Sequence, residues 1–158
     1  MKPQWTGIYP ALTTKFTDDF KVDIASCIKN VEAQINSGIH GCVIAGSLGE
    51  ASTLTQDEKI FLLKEISKHV DGRIPVLMNI AEQSTAEAVK AAQNSQESGA
   101  DGLMMLPPMR YVSDDRETIE FYKSVASSCD LPIMTYNHPH DYKIEITFPM
   151  FEELLKIK

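Results

Sequence analysis

The sequence predicts an α/β fold built on a parallel sheet, and three observations carry that expectation. Short apolar runs recur about every 30 residues, the length of one strand–helix unit. The runs are nearly continuous in apolar character, which suits strands covered on both faces. Each run is followed by a longer amphipathic stretch, several of which carry capping residues at the start or glycine just past the end.

Taken in order, the run at 8–14 leads to a helix over 23–37, which Gly38 stops. The run at 42–46 leads to a helix over 56–70. Thr55 and Glu58 form a capping box at its start, and Gly72 lies past its end. The run at 75–80 leads to a helix over 85–98, opened by Ser84 with Glu87 and stopped by Gly99. The run at 102–106 precedes a helix over 116–129. The run at 132–136 precedes a helix over 148–156, with Thr147 as cap and Pro149 in its first turn. No linker or low-complexity segment interrupts this rhythm, so 1–158 is expected to be a single domain.

Composition narrows the class. A chain of 158 residues with 43% hydrophobic content can build one core and is not a disordered segment. A net charge of −7 argues against nucleic acid and against anionic membranes as partners. The start, MKPQWTGIYP, has no apolar run of the secretory kind, and nothing approaches the roughly 20 apolar residues of a membrane span. Cys27, Cys42 and Cys129 are odd in number, widely spaced and without a CxxC pair, which predicts reduced, buried thiols in a cytoplasmic protein.

Five strand–helix units leave two architectures open. One is a complete open, doubly wound sheet. The other is part of a (β/α)₈ barrel, which takes about 250 residues. Length favours the first; the motifs favour the second. The chain opens with Gly7-Ile8-Tyr9-Pro10-Ala11-Leu12-Thr13-Thr14. After the second run comes Gly46-Ser47-Leu48-Gly49-Glu50, followed by Ala51-Ser52-Thr53-Leu54 and Glu58. Between lie Arg73-Ile74-Pro75-Val76, Ser84-Thr85-Ala86-Glu87-Ala88 and Gly99-Ala100-Asp101-Gly102. After the fifth run comes Tyr136-Asn137-His138-Pro139. Together, from about residue 7 to the end, this ordered set resembles the dihydrodipicolinate synthase / N-acetylneuraminate lyase family.

The resemblance implies a parallel (β/α)₈ TIM-barrel fold, here an incomplete barrel of about five units. It implies a lyase or aldolase that forms a Schiff base with a small α-keto or imino acid, commonly pyruvate. It needs no metal or organic cofactor and works as a dimer or tetramer. Ser47 matches the hydroxyl residue that relays protons in the family. Gly46, Leu48 and Gly49 match the loop whose backbone N–H groups hold the substrate carboxylate. Tyr136 matches the tyrosine that shuttles protons; a phenol stays protonated at neutral pH and can give and recover a proton.

The chain also departs from the pattern. The family's nucleophilic lysine stands on the sixth strand, one unit past Tyr136. Lys156 and Lys158 follow a helix instead, where nothing desolvates an amine. This chain by itself is therefore expected to be inactive. Leu48 replaces a frequent threonine. Arg110, in Pro107-Pro108-Met109-Arg110-Tyr111, aligns with the family's inter-subunit tyrosine and is a candidate for gripping a substrate acid. His140-Asp141-Tyr142 stands where dihydrodipicolinate synthases carry an arginine, which points toward other keto or imino acids. His138 and His140 lack the further ligands of a metal site, and Glu50 reads as support for its loop. The alternative is a non-catalytic half-barrel that binds a small acid or a partner chain. A complete open-sheet binding protein is the third reading.

Overall fold

The computed structural model describes residues 3–108 and 111–157. Arg110 lies outside the described residues. Four strands form one sheet, β1 (Cys42–Ile44), β2 (Val76–Ile80), β3 (Gly102–Met105) and β4 (Ile133–Thr135), all parallel and in the order β1-β2-β3-β4. The helices are α1 (Ile24–Asn36), α2 (Gln56–Val70), α3 (Thr85–Glu97), α4 (Asp115–Ala126), α5 (Pro139–Tyr142) and α6 (Phe148–Leu154).

The expected strand at 8–14 is present as a paired segment rather than a ladder. Leu12 N–H donates to the Val43 carbonyl (2.8 Å), Val43 N–H to Pro10 (2.9 Å) and His40 N–H to Ile8 (2.9 Å), with one parallel bridge between Ala11 and Val43. Pro10 has no N–H and contributes only its carbonyl. Counting this segment, five parallel stretches follow one another in space in chain order. That decides between the two architectures. A doubly wound sheet reverses its strand order at a switch point, whereas a barrel does not. The chain is an incomplete (β/α)₈ barrel.

Strand alternation sorts the apolar residues onto two faces. Ile44, Val76, Met78, Ile80, Leu103 and Met105 join the core shared with the helices, where Leu62, Leu63, Ile66, Ala92 and Val125 are also buried. Val43, Leu77, Met104 and Leu106 form a second cluster on the other, inner face, with Tyr9, Ala81, Met134 and Tyr142 packed against it. All five residues of β2 are buried, which is why its run looked continuous rather than alternating. One of the five is polar. Asn79 is 3% exposed, and neither its Oδ1 nor its Nδ2 has a hydrogen-bond partner among the described residues. A buried polar atom left unpaired costs about 1–3 kcal/mol.

The caps largely follow the sequence. Thr55 and Glu58 form a reciprocal capping box on α2. Ser84 accepts from Glu87 N–H (3.2 Å) at the start of α3, the forward half of a box only. The fourth helix begins one residue earlier than expected, because Asp114 and Glu117 make a capping box of their own. It ends at Ala126, short of the expected 129.

All three cysteines are free thiols. Cys27 and Cys42 are buried and Cys129 is half-buried; desolvation pushes the Cys42 thiol up to about 12. No helix among the described residues is long and apolar enough to cross a membrane.

Candidate active site

The site residues gather at the C-terminal ends of the strands, the end where barrels of this kind build their chemistry. β1 stops at Ile44 rather than at 46, because Ala45 turns into the left-handed region (φ 52°). Residues Ser47–Gly49 then make one turn of 3₁₀ helix, and Glu50 closes it, also left-handed (φ 58°). Two non-glycine residues at positive φ bracket a five-residue motif. Such strain is stored mainly at functional positions.

Within the turn, Gly49 and Ala51 N–H donate to the Gly46 carbonyl (2.9 and 3.2 Å), and Glu50 N–H to Ser47 (3.1 Å). This narrows the expectation for the loop. The Gly49 and Glu50 N–H groups are committed to the turn itself, which leaves those of Gly46, Ser47 and Leu48 for an anion. Gly49 is required sterically, because a Cβ there would stand 2.8 Å from the Leu12 carbonyl oxygen. Thr14 Oγ1 donates to the Gly49 carbonyl (2.6 Å) and ties the turn to the first segment. Gly46 has more room, with Ala11 Cβ and Met104 Cε nearly 4 Å from a notional Cβ. The Leu48 side chain is 68% exposed, so any binding role belongs to its backbone. Glu50 supports the loop through its carbonyl, which accepts from Thr53 N–H and Oγ1, both at 2.9 Å.

Tyr136 follows β4, and its N–H donates to the Met105 carbonyl (2.9 Å), so the tyrosine is rooted in the sheet. Its ring stacks on His138 (centroids 6.1 Å, 9° between planes) and meets Tyr142 edge-on (6.0 Å). Ser47 and Tyr136 thus follow β1 and β4, the first and last strands of the four-stranded sheet. Tyr142 lies between them. Its hydroxyl is 3.3 Å from Ser47 Oγ while its ring touches Tyr136.

Tyr142 as a site residue was not expected from the sequence. It reaches the site on α5, a single turn opened by Pro139. Asn137 holds that turn in place: its Nδ2 donates to the Ile146 carbonyl (2.9 Å) and its Oδ1 accepts from Ile146 N–H (3.0 Å). The two bonds close residues 138–145 into a compact loop. The available signal was Asn137 itself, beside Tyr136 in the Tyr-Asn pair. His138 Nδ1 faces Asp141 Oδ2 at 3.3 Å, and no group of three or more metal-ligating side chains comes together among the described residues.

The buried lysine of the helix layer is Lys59, on α2. Its Nζ is held by Glu82 Oε1 (3.1 Å), to which Gln56 Nε2 also donates (2.8 Å). The pair holds the Lys59 ammonium on a carboxylate within the helix layer.

Sheet order, inner face and a hydroxyl-lined mouth together define a protein of the (β/α)₈-barrel class with its candidate site at the C-terminal strand ends. The model of the dihydrodipicolinate synthetase family matches residues 4–158, and the chain belongs to that family. It is 31% identical over 156 residues to the 4-hydroxy-tetrahydrodipicolinate synthase of Staphylococcus carnosus, covering 99% of this chain and 53% of that protein. It is 33% identical over 135 residues to YagE of Escherichia coli, a protein named as a 2-dehydro-3-deoxy-D-gluconate aldolase, covering 85% of this chain and 45% of that one. The crystal structure of YagE in complex with pyruvate superposes with a TM-score of 0.91 at 30% identity, over 96% of this chain and 51% of the other. The chain spans about half the length of the relatives it matches.

Proposed function

We propose that this chain contributes Ser47, Tyr136 and the Gly46–Glu50 turn to a Schiff-base-forming lyase or aldolase that acts on a small α-keto or imino acid. The observation that carries the reading is the hydroxyl pair of Ser47 and Tyr142 beside the Tyr136 ring, at the mouth of the inner face. In the reaction, a lysine amine adds to the keto carbon, and loss of water leaves an imine that takes up the electrons of the bond being broken. Each of those steps moves a proton. Ser47 and Tyr136 give and take these protons, with Tyr142 handing one to Ser47 along their hydrogen bond. The Ser47 and Leu48 N–H groups receive the substrate carboxylate. Arg110, outside the described residues, is a candidate second grip on an acid group. The working protein is a homo-oligomer in the cytoplasm.

The lysine that attacks is not among these 158 residues in our reading, since none of the described lysines lies within β1, β2, β3 or β4. Pyruvate plus borohydride, read by intact mass, tests both statements. The 158-residue chain is expected to stay unmodified. A chain extended through a sixth strand bearing a lysine is expected to gain one reduced pyruvate adduct. An adduct on the short chain would overturn the assignment of the lysine. A missing adduct on the extended chain would overturn the lyase reading. A second reading, a non-catalytic half-barrel that pairs with another chain, is favoured by one feature: β4 has no neighbour on its far side among the described residues, and an open groove lies along it.

A further inference from the structure

We propose that Asn79 is a substrate-contacting residue that takes a hydroxyl group on the carbon chain of the α-keto acid. The inference rests on the lyase reading above and names its substrate class. Asn79 is the polar residue of an otherwise apolar strand, Val76–Ile80. Strand alternation puts it on the inner face with Leu77, while Val76, Met78 and Ile80 face the helices. The register sets it opposite Met104 on β3. On the other side Ile44 pairs with Met78, which brings Asn79 level with the root of the Gly46–Glu50 turn. It therefore sits one strand position inside the mouth where Ser47 and Tyr142 meet.

The side chain is 97% buried, yet both ends of its amide are unpartnered among the described residues. Val43, Leu77, Met104 and Leu106, which share its face, offer no partner that could answer both a donor and an acceptor. Buried amides in native proteins are normally paired, and an exception calls for an explanation at the site. A carboxylate would satisfy only Nδ2, and an ammonium only Oδ1. A hydroxyl satisfies both, donating to Oδ1 and accepting from Nδ2. A hydroxylated α-keto acid, of the kind a sugar acid yields on dehydration, presents such a group.

The test measures dissociation constants of the complete gene product for keto acids matched in carbon number. The set is pyruvate with hydroxypyruvate, and 2-oxopentanoate with its 4-hydroxy and 5-hydroxy forms, kept on ice so that cleavage does not deplete them. The expected result is about tenfold tighter binding of at least one hydroxylated member over its parent. Asn79→Leu, close in volume, is expected to erase that preference and to bring each hydroxylated member within about twofold of its parent. Should Asn79→Leu fail to fold, Asn79→Ala must show the same loss. No preference in the natural protein, or a preference that survives both substitutions, overturns the proposal. Either result would mean that the amide is served by water or by another part of the polypeptide. Failure to bind any keto acid, pyruvate included, overturns the lyase reading and this inference with it. Binding of pyruvate without a hydroxyl preference overturns this inference alone.

Discussion

At the scale of single residues, the hydroxyl groups and one carboxylate give the sharpest tests. Tyr136 and Tyr142 differ in role. In the proposed reaction Tyr136 serves the reacting carbon, whereas Tyr142 acts through Ser47. In a catalytically competent protein, Tyr136→Phe is expected to lower kcat by about 10²-fold or more. Tyr142→Phe should cost less and fall on kcat with little change in KM, because it removes a relay hydroxyl and leaves the ring contact with Tyr136. Steady-state kinetics of both variants check this.

Glu32 is the most perturbed carboxylate at the surface. Arg73 reaches it with two guanidinium nitrogens (3.0 and 2.8 Å) and His69 Nε2 with a third contact (2.9 Å). The Arg73 bonds, then the His69 bond, lower its pKa to about 2. A carboxyl group lowered on folding adds stability that is complete above its ordinary value of 4.5, and that stability is lost as pH falls through about 2. Thermal unfolding against pH should therefore fall off below about 4.5, and Glu32→Gln should flatten that limb. An unchanged limb in the variant would show that this cluster does not couple to folding.

At the scale of elements, the helices are set by their caps and the strands by their faces. Thr55→Ala removes the forward bond of the α2 capping box and the bond that the Thr55 hydroxyl donates to Glu58 Oε2, and keeps the backbone N–H bond to that carboxylate. The expected cost is about 1 kcal/mol, read from urea unfolding. The helix starts were legible for a related reason: capping is local chemistry, written within four residues. Ser47 and Tyr136 were singled out by the family resemblance, on motifs that stand at the ends of apolar runs. Tyr142 was not, since a four-residue helix has too few turns to show a period. Asn79 lies inside the run 75–80 and is not singled out by the sequence. Its meaning needs the knowledge of which face of β2 it occupies, and a strand buried on both sides hides that in its sequence. The shortening of β1 is a further case. The turn of Ala45 into positive φ is imposed by the neighbouring loop, not by alanine's own preference.

For the whole molecule, the open side of the sheet dominates. β4 is half-buried along its length, unlike β1, β2 and β3, whose residues are all buried. A groove of about 610 Å³ beside it is lined by Leu131, Ile133, Phe151, Leu154 and Leu155 among others, and Leu155 is 82% exposed. Unpaired strand edges and apolar faces favour association. The 158-residue chain by itself is expected to sediment as dimers or larger species, and a clean monomer with cooperative unfolding would count against this. The sequence by itself determined the rhythm of strand and helix, the caps, and the motifs at the strand ends, because each depends on neighbours a few residues apart. Only the tertiary structure decided three things: that the strands follow chain order around a barrel, that Tyr142 meets Ser47 across 95 positions, and that Asn79 is buried without a partner among the described residues. Those facts arise from packing between distant segments, where the closing contact is set by the sheet as a whole and leaves no local trace.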